Sequence, residues 1–118
     1  MERFNVIVCG SRSFVAYSML CQTLDEVFAA KKPTAIICGE AKGVDTLGKQ
    51  YAVAHHIQVL SFPANWEKHG RGAGFIRNAE MLKHADTVVA FWDGKSKGTK
   101  HMIDISRKAG IAVHVVRI

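Results

Sequence analysis

Five short apolar runs rich in β-branched residues, at 5–9, 35–38, 58–62, 87–91 and 112–116, recur along the chain with helix-length stretches between them. Their apolarity is continuous rather than alternating, the mark of strands buried on both faces of a parallel sheet. The stretches between them carry helical periodicity. A first helix is predicted over 15–30, with Leu20, Leu24, Val27 and Phe28 as its apolar stripe and Pro33 blocking its continuation. Further helices are predicted over 44–55 and 73–84, and a last one from near Gly98 and Thr99 to a glycine stop at Gly110. Residues 63–72 read as a polar loop. The order is β-α-β-α-β-α-β-α-β, and right-handed crossovers leave few ways to arrange it. The expectation is a single domain over 1–118: a Rossmann-like, doubly wound α/β fold on a five-stranded parallel sheet. In such a fold ligands sit beyond the carboxyl ends of the strands, where strand order reverses.

A chain of 118 residues with 48% apolar and 22% charged residues has the ordinary globular mixture and fits one core. The run Val6 to Cys9 is only a strand long, so no signal peptide is expected, and no run approaches membrane-spanning length. Cys9, Cys21 and Cys38 are odd in number and form no CxxC pair, which fits a reducing, cytoplasmic setting. The six histidines show no ligand spacing, so neither a metal nor a cofactor is expected. Net charge of +6 suggests anionic partners such as nucleotides, nucleic acid or a membrane surface, though on charge alone a solvated basic surface is the plainer reading. The partners expected are a nucleotide-like small molecule or nucleic acid, and no membrane. Association of two copies is left open.

Three strand exits are rich in glycine and small polar residues: Gly10, Ser11, Arg12 and Ser13; Gly39 through Glu40, Lys42 and Gly43 to Asp45; and Gly94 through Ser96 and Gly98 to Thr99. All three fall at one edge of the predicted sheet. Helix N-termini at such an edge present N–H groups and a positive dipole end to a phosphate. Neither standard nucleotide motif is present. Gly94-Lys95-Ser96 lacks the glycine five positions before its lysine, and Gly70-Arg71-Gly72-Ala73-Gly74 is not a GxGxxG after a strand.

Four ordered segments carry a family resemblance: residues 8–14, 38–45, 65–78 and 91–99. Across them the chain resembles the short YspA-like members of the SLOG superfamily, grouped with DNA-processing protein A and the LOG phosphoribohydrolases. The resemblance implies a Rossmann-like fold and a site at these loops. The last two segments are similar to the LOG pattern, in which an arginine and a GxGT turn hold nucleotide phosphate and ribose. Arg77, with Asn78 beside it, corresponds by position to that arginine, and Gly98-Thr99 to the turn. The pattern places glutamate three residues after the threonine, where this chain has Met102.

Each candidate has a plainer alternative. Arg77 reads as a fork of donors for an oxyanion or as a surface partner of Glu80 at i+3, and the resemblance favours the first. Asp45 and Glu40 read equally as sugar contacts or as helix-start residues. Ser11 and Ser13 lack the GxSxG elbow and read as hydrogen-bonding groups, not nucleophiles. Trp66 reads as cover for the core edge; Trp92 is open between cover and base stacking. Cys9 and Cys38 read as small core residues, and Met102, Ile105 and Ala109 as a buried stripe. The function expected is a binding module or sensor for a nucleotide-derived, phosphate-bearing small molecule. The alternatives are a nucleotide N-glycosidic hydrolase and a single-stranded nucleic-acid binder.

Overall fold

The structure is a computed structural model and describes residues 3–118. Strands β1 (Asn5–Gly10), β2 (Ala35–Cys38), β3 (Gln58–Ser61), β4 (Thr87–Trp92) and β5 (Ala112–Arg117) form one sheet, all parallel, in the order β3-β2-β1-β4-β5. Helices α1 (Tyr17–Val27), α2 (Val44–Ala54), α3 (Trp66–His69), α4 (Ala73–Leu82) and α5 (Lys97–Lys108) connect them. Strand order reverses between β1 and β4, which makes their carboxyl ends the switch point.

Strand pleating divides the apolar runs between two core layers. Val6, Val8, Ile36, Val89 and Phe91 pack with Leu20 and Leu24 of α1 and Val44 and Tyr51 of α2. Ile7, Cys9, Ile37, Val88 and Ala90 face the other way, onto Met81 of α4 and Met102 and Ile103 of α5. This double burial is why β1 and β4 need unbroken apolar sequence. Each fully buried leucine or isoleucine contributes about 1.5–3 kcal/mol of transfer free energy.

Several elements depart from the sequence expectation. The edge strands β3 and β5 are not buried on both faces; with a single neighbour each, most of their residues are half-buried or exposed. Helix α1 starts at Tyr17 rather than Val15, which is 84% exposed, and it ends at Val27. The predicted polar loop at 63–72 contains α3 and a 3-10 turn at Gly70–Gly72. Asn65 starts α3 by accepting a hydrogen bond from the Lys68 N–H at 3.0 Å, and Gly70, at φ +57°, ends it. In α5 the buried positions are Thr99, Met102, Ile103 and Ser106, an i, i+3, i+4, i+7 stripe, while Ala109 is exposed. Among the described residues no helix is long and apolar enough to cross a membrane.

Candidate functional site

A cavity of about 290 Å³ opens at the switch point, between the end of β1, the start of α2, the inner face of α4 and the N-terminus of α5. Four cationic side chains line it, Arg12, Arg71, Arg77 and Lys97, against one carboxylate, Asp45. Gly10, Asn78, Ser96, Gly98 and Thr99 complete the predicted part of its wall, and Met102 lies among its lining residues. A second cavity of about 520 Å³ adjoins it and shares Arg12, Ala41, Trp66 and Arg77; Gly39 and Glu40 line this one.

Arg77 lies at the junction. Its guanidinium donates to the Gly39 carbonyl through Nη1 and to Asn78 Oδ1 through Nε at 3.2 Å. Glu80, its alternative partner, pairs with Lys83 instead. A Cβ on Gly39 would come within 2.7 Å of the Arg77 Cζ, so glycine is what allows the arginine to lie across the end of β2. Asn78 is buried; its Nδ2 donates to the Gly98 carbonyl at 3.1 Å and to His101 Nδ1 at 3.2 Å, tying α4 to the first turn of α5. His101 stacks on Phe75 with ring centroids 4.1 Å apart, and burial holds its pKa below the ordinary value.

Asp45 is only 6% exposed and sits in the first turn of α2, accepting a hydrogen bond from the Ala41 N–H at 3.2 Å. Burial raises its pKa, opposed by that N–H and by the positive charge of Arg77. Glu40 has a left-handed backbone, φ +61°, and a carboxylate held below its usual pKa mainly by the Ser61 hydroxyl. Burial raises the pKa of the Cys9 and Cys38 thiols, which favours the protonated form. At α5 the Ser96 hydroxyl accepts from the Thr99 N–H and pairs with Thr99 Oγ1 at 2.9 Å. Asp93 anchors the preceding turn by accepting from the Lys95 and Ser96 N–H groups, both at 2.8 Å, and these lower its pKa.

Three predicted residues lie behind the cleft rather than in its wall. Ser11 is buried, its N–H donating to the Phe91 carbonyl and its carbonyl accepting from the Val44 N–H. Gly43, at φ +72°, packs on the Ser11 and Arg12 backbone and clasps this loop to α2. Gly94 faces Arg117, whose guanidinium lies over the Trp92 ring. Trp92 is thereby a structural residue, its Nε1 donating to the Ser96 carbonyl at 3.2 Å. Trp66 corrects the expectation of core cover: it is 52% exposed and lines both cavities. Arg71, Phe75 and Lys97 also join the wall; all three lie in the segments 65–78 and 91–99 that carry the family resemblance, and the sequence marked Arg71 and Lys97 as basic residues of the site loops.

These features define a Rossmann-like α/β domain with a basic cleft at its switch point. The chain belongs to the YspA, cpYpsA-related SLOG family, whose match spans residues 4–69 and so includes the first two glycine loops and α3. It is 32% identical over 115 residues to the Gene 61 protein of Mycobacterium phage D29, covering 92% of each chain. Among solved structures, DNA processing protein A of Streptococcus pneumoniae superposes with a TM-score of 0.75 at 13% identity. That likeness covers 96% of this chain and 50% of the other.

Proposed function

We infer that the cleft binds a nucleotide-derived small molecule through its phosphate, and that the protein acts as a binding module or ligand sensor. The observation that carries this reading is the convergence of four cations on one small cavity that contains a single, buried carboxylate. The first backbone N–H groups of α5 belong to Lys97 and Gly98, which line the same cavity, so dipole and side chains favour the same oxyanion. Arg77 supplies the fixed fork suited to phosphate. Family membership supports a nucleotide-related role.

Binding is favoured over glycosidic cleavage by Met102. It stands where the resemblance asks for glutamate, is 1% exposed, and can move no proton. Cleavage passes through an oxocarbenium-like state that needs a carboxylate beside the ribose. The remaining carboxylate of the cavity, Asp45, is engaged by the Ala41 N–H.

The deciding experiment is mass spectrometry of small molecules released from purified, denatured protein, followed by calorimetry with the compound identified. A phosphorylated nucleoside derivative is expected. Nucleoside monophosphates incubated with the protein should release no free base; turnover abolished by Glu40→Ala or Asp45→Ala would establish a hydrolase instead.

A further inference from the structure

The first cavity lies at the lower end of the roughly 300–1,000 Å³ range of small-molecule sites. The adjoining cavity is nearly twice as large and differently built. Pro63, Ala64 and the Trp66 indole give it an apolar stretch of wall, beside the charged side chains of Arg12, Lys42, Arg77 and Glu40. Trp66 is half exposed, and the tip of its ring stands 3.7 Å from where a Cβ on Gly74 would lie. An indole held at a cavity mouth with one side in solvent is a platform for a flat ring.

Glu40 supplies the polar feature. The Ser61 hydroxyl at 2.6 Å, the Lys49 ammonium at 3.3 Å and the Cys38 thiol at 3.8 Å all meet the same oxygen, Oε1. Among the described residues no hydrogen bond reaches Oε2. An ionised oxygen accepts and never donates, repels phosphate, and matches an N–H.

Resting on the phosphate-binding reading above, we propose that this second compartment holds the nucleobase, stacked on Trp66. Glu40 Oε2 then selects bases with an exocyclic amino group over those with a carbonyl at that position. Arg12 and Arg77, common to both cavities, span the junction where the phosphate-bearing sugar would cross.

Calorimetry with two matched pairs, CMP against UMP and AMP against IMP, with ribose 5-phosphate as the baseless probe, tests this. In the parent protein the amino member of at least one pair should bind about tenfold tighter, the effect of one charge-assisted hydrogen bond. Glu40→Gln should erase or invert that preference, because Lys49 retains the amide oxygen and turns the amide NH₂ to where Oε2 stood. Trp66→Ala should weaken nucleotides about tenfold and ribose 5-phosphate by clearly less, since the indole borders both cavities but stacks only on the base. Both side chains are solvent-exposed, and unaltered melting temperatures would verify that the variants are folded. Equal affinities within both pairs, or nucleotide affinities indifferent to both substitutions, would overturn this inference while the phosphate reading stands. If neither ribose 5-phosphate nor any nucleotide binds, both fall.

Discussion

Arg77 and Gly39 depend on each other, and the dependence can be measured. Arg77→Ala should weaken binding of a nucleoside monophosphate by about 1.5–3 kcal/mol, roughly tenfold to a hundredfold, with little change in melting temperature. Gly39→Ala should produce a similar loss by displacing the arginine, since its Cβ would fall on the guanidinium. Calorimetry on both single variants and the double variant should show non-additive losses. Asp45 has a different signature. Burial raises its folded-state pKa above the ordinary 3.8, so the folded protein holds a proton that the unfolded chain releases first. Stability is therefore lost as pH rises from that ordinary value through the folded pKa. Asp45→Asn removes this loss: its melting temperature should exceed the parent's at about pH 7, and the difference should shrink towards about pH 4.

Helix α5 joins stability and site in one element. Its buried stripe fastens it to β4, while its first turn forms part of the cavity wall. Ser96→Ala removes the cap on the Thr99 N–H and should cost about 1 kcal/mol, read from urea denaturation. Met102→Glu, the substitution that would restore the LOG-like pattern, places a carboxylate at a position 1% exposed. It should cost about 2–4 kcal/mol by the same measurement, because the group must either be neutralised or lose its solvation. The short helix α3 shows why local propensity misled over 63–72. Its four residues have no buried member, so no apolar periodicity announces it, and only the Asn65 cap does.

Across the molecule, positive charge draws any polyanion, but the cleft is a pair of pockets rather than a track. Near physiological salt, a nucleoside monophosphate should bind more tightly than a single-stranded oligonucleotide. Oligonucleotide binding should fall steeply as salt rises, since it depends on counterion release from many phosphates. Titrations at several salt concentrations check this, and an oligonucleotide that outcompetes every nucleotide at physiological salt would favour a nucleic-acid role. The fold permits either, as its likeness to DNA processing protein A shows architecture and not ligand.

Much of this was legible along the chain. The three central strands announced themselves because a parallel strand covered on both faces has no solvent side and therefore no polar alternation, whereas the edge strands β3 and β5 carried apolar runs without that double cover. Three strand exits carried glycine where the backbone must turn or come close, at the edge where the basic cleft lies, and the order of the motifs singled out Arg77. What one dimension does not hold is which atoms meet across long stretches of chain. Only folding brings Arg77 to Gly39 across 38 residues and Asn78 to Gly98 across 20. Only folding turns Gly43 towards Ser11 and Gly94 towards Arg117, away from the cleft. Trp66 illustrates the same limit: an indole covers a core or lines a cavity according to what packs beside it, and its neighbours in space are supplied by other strands and helices.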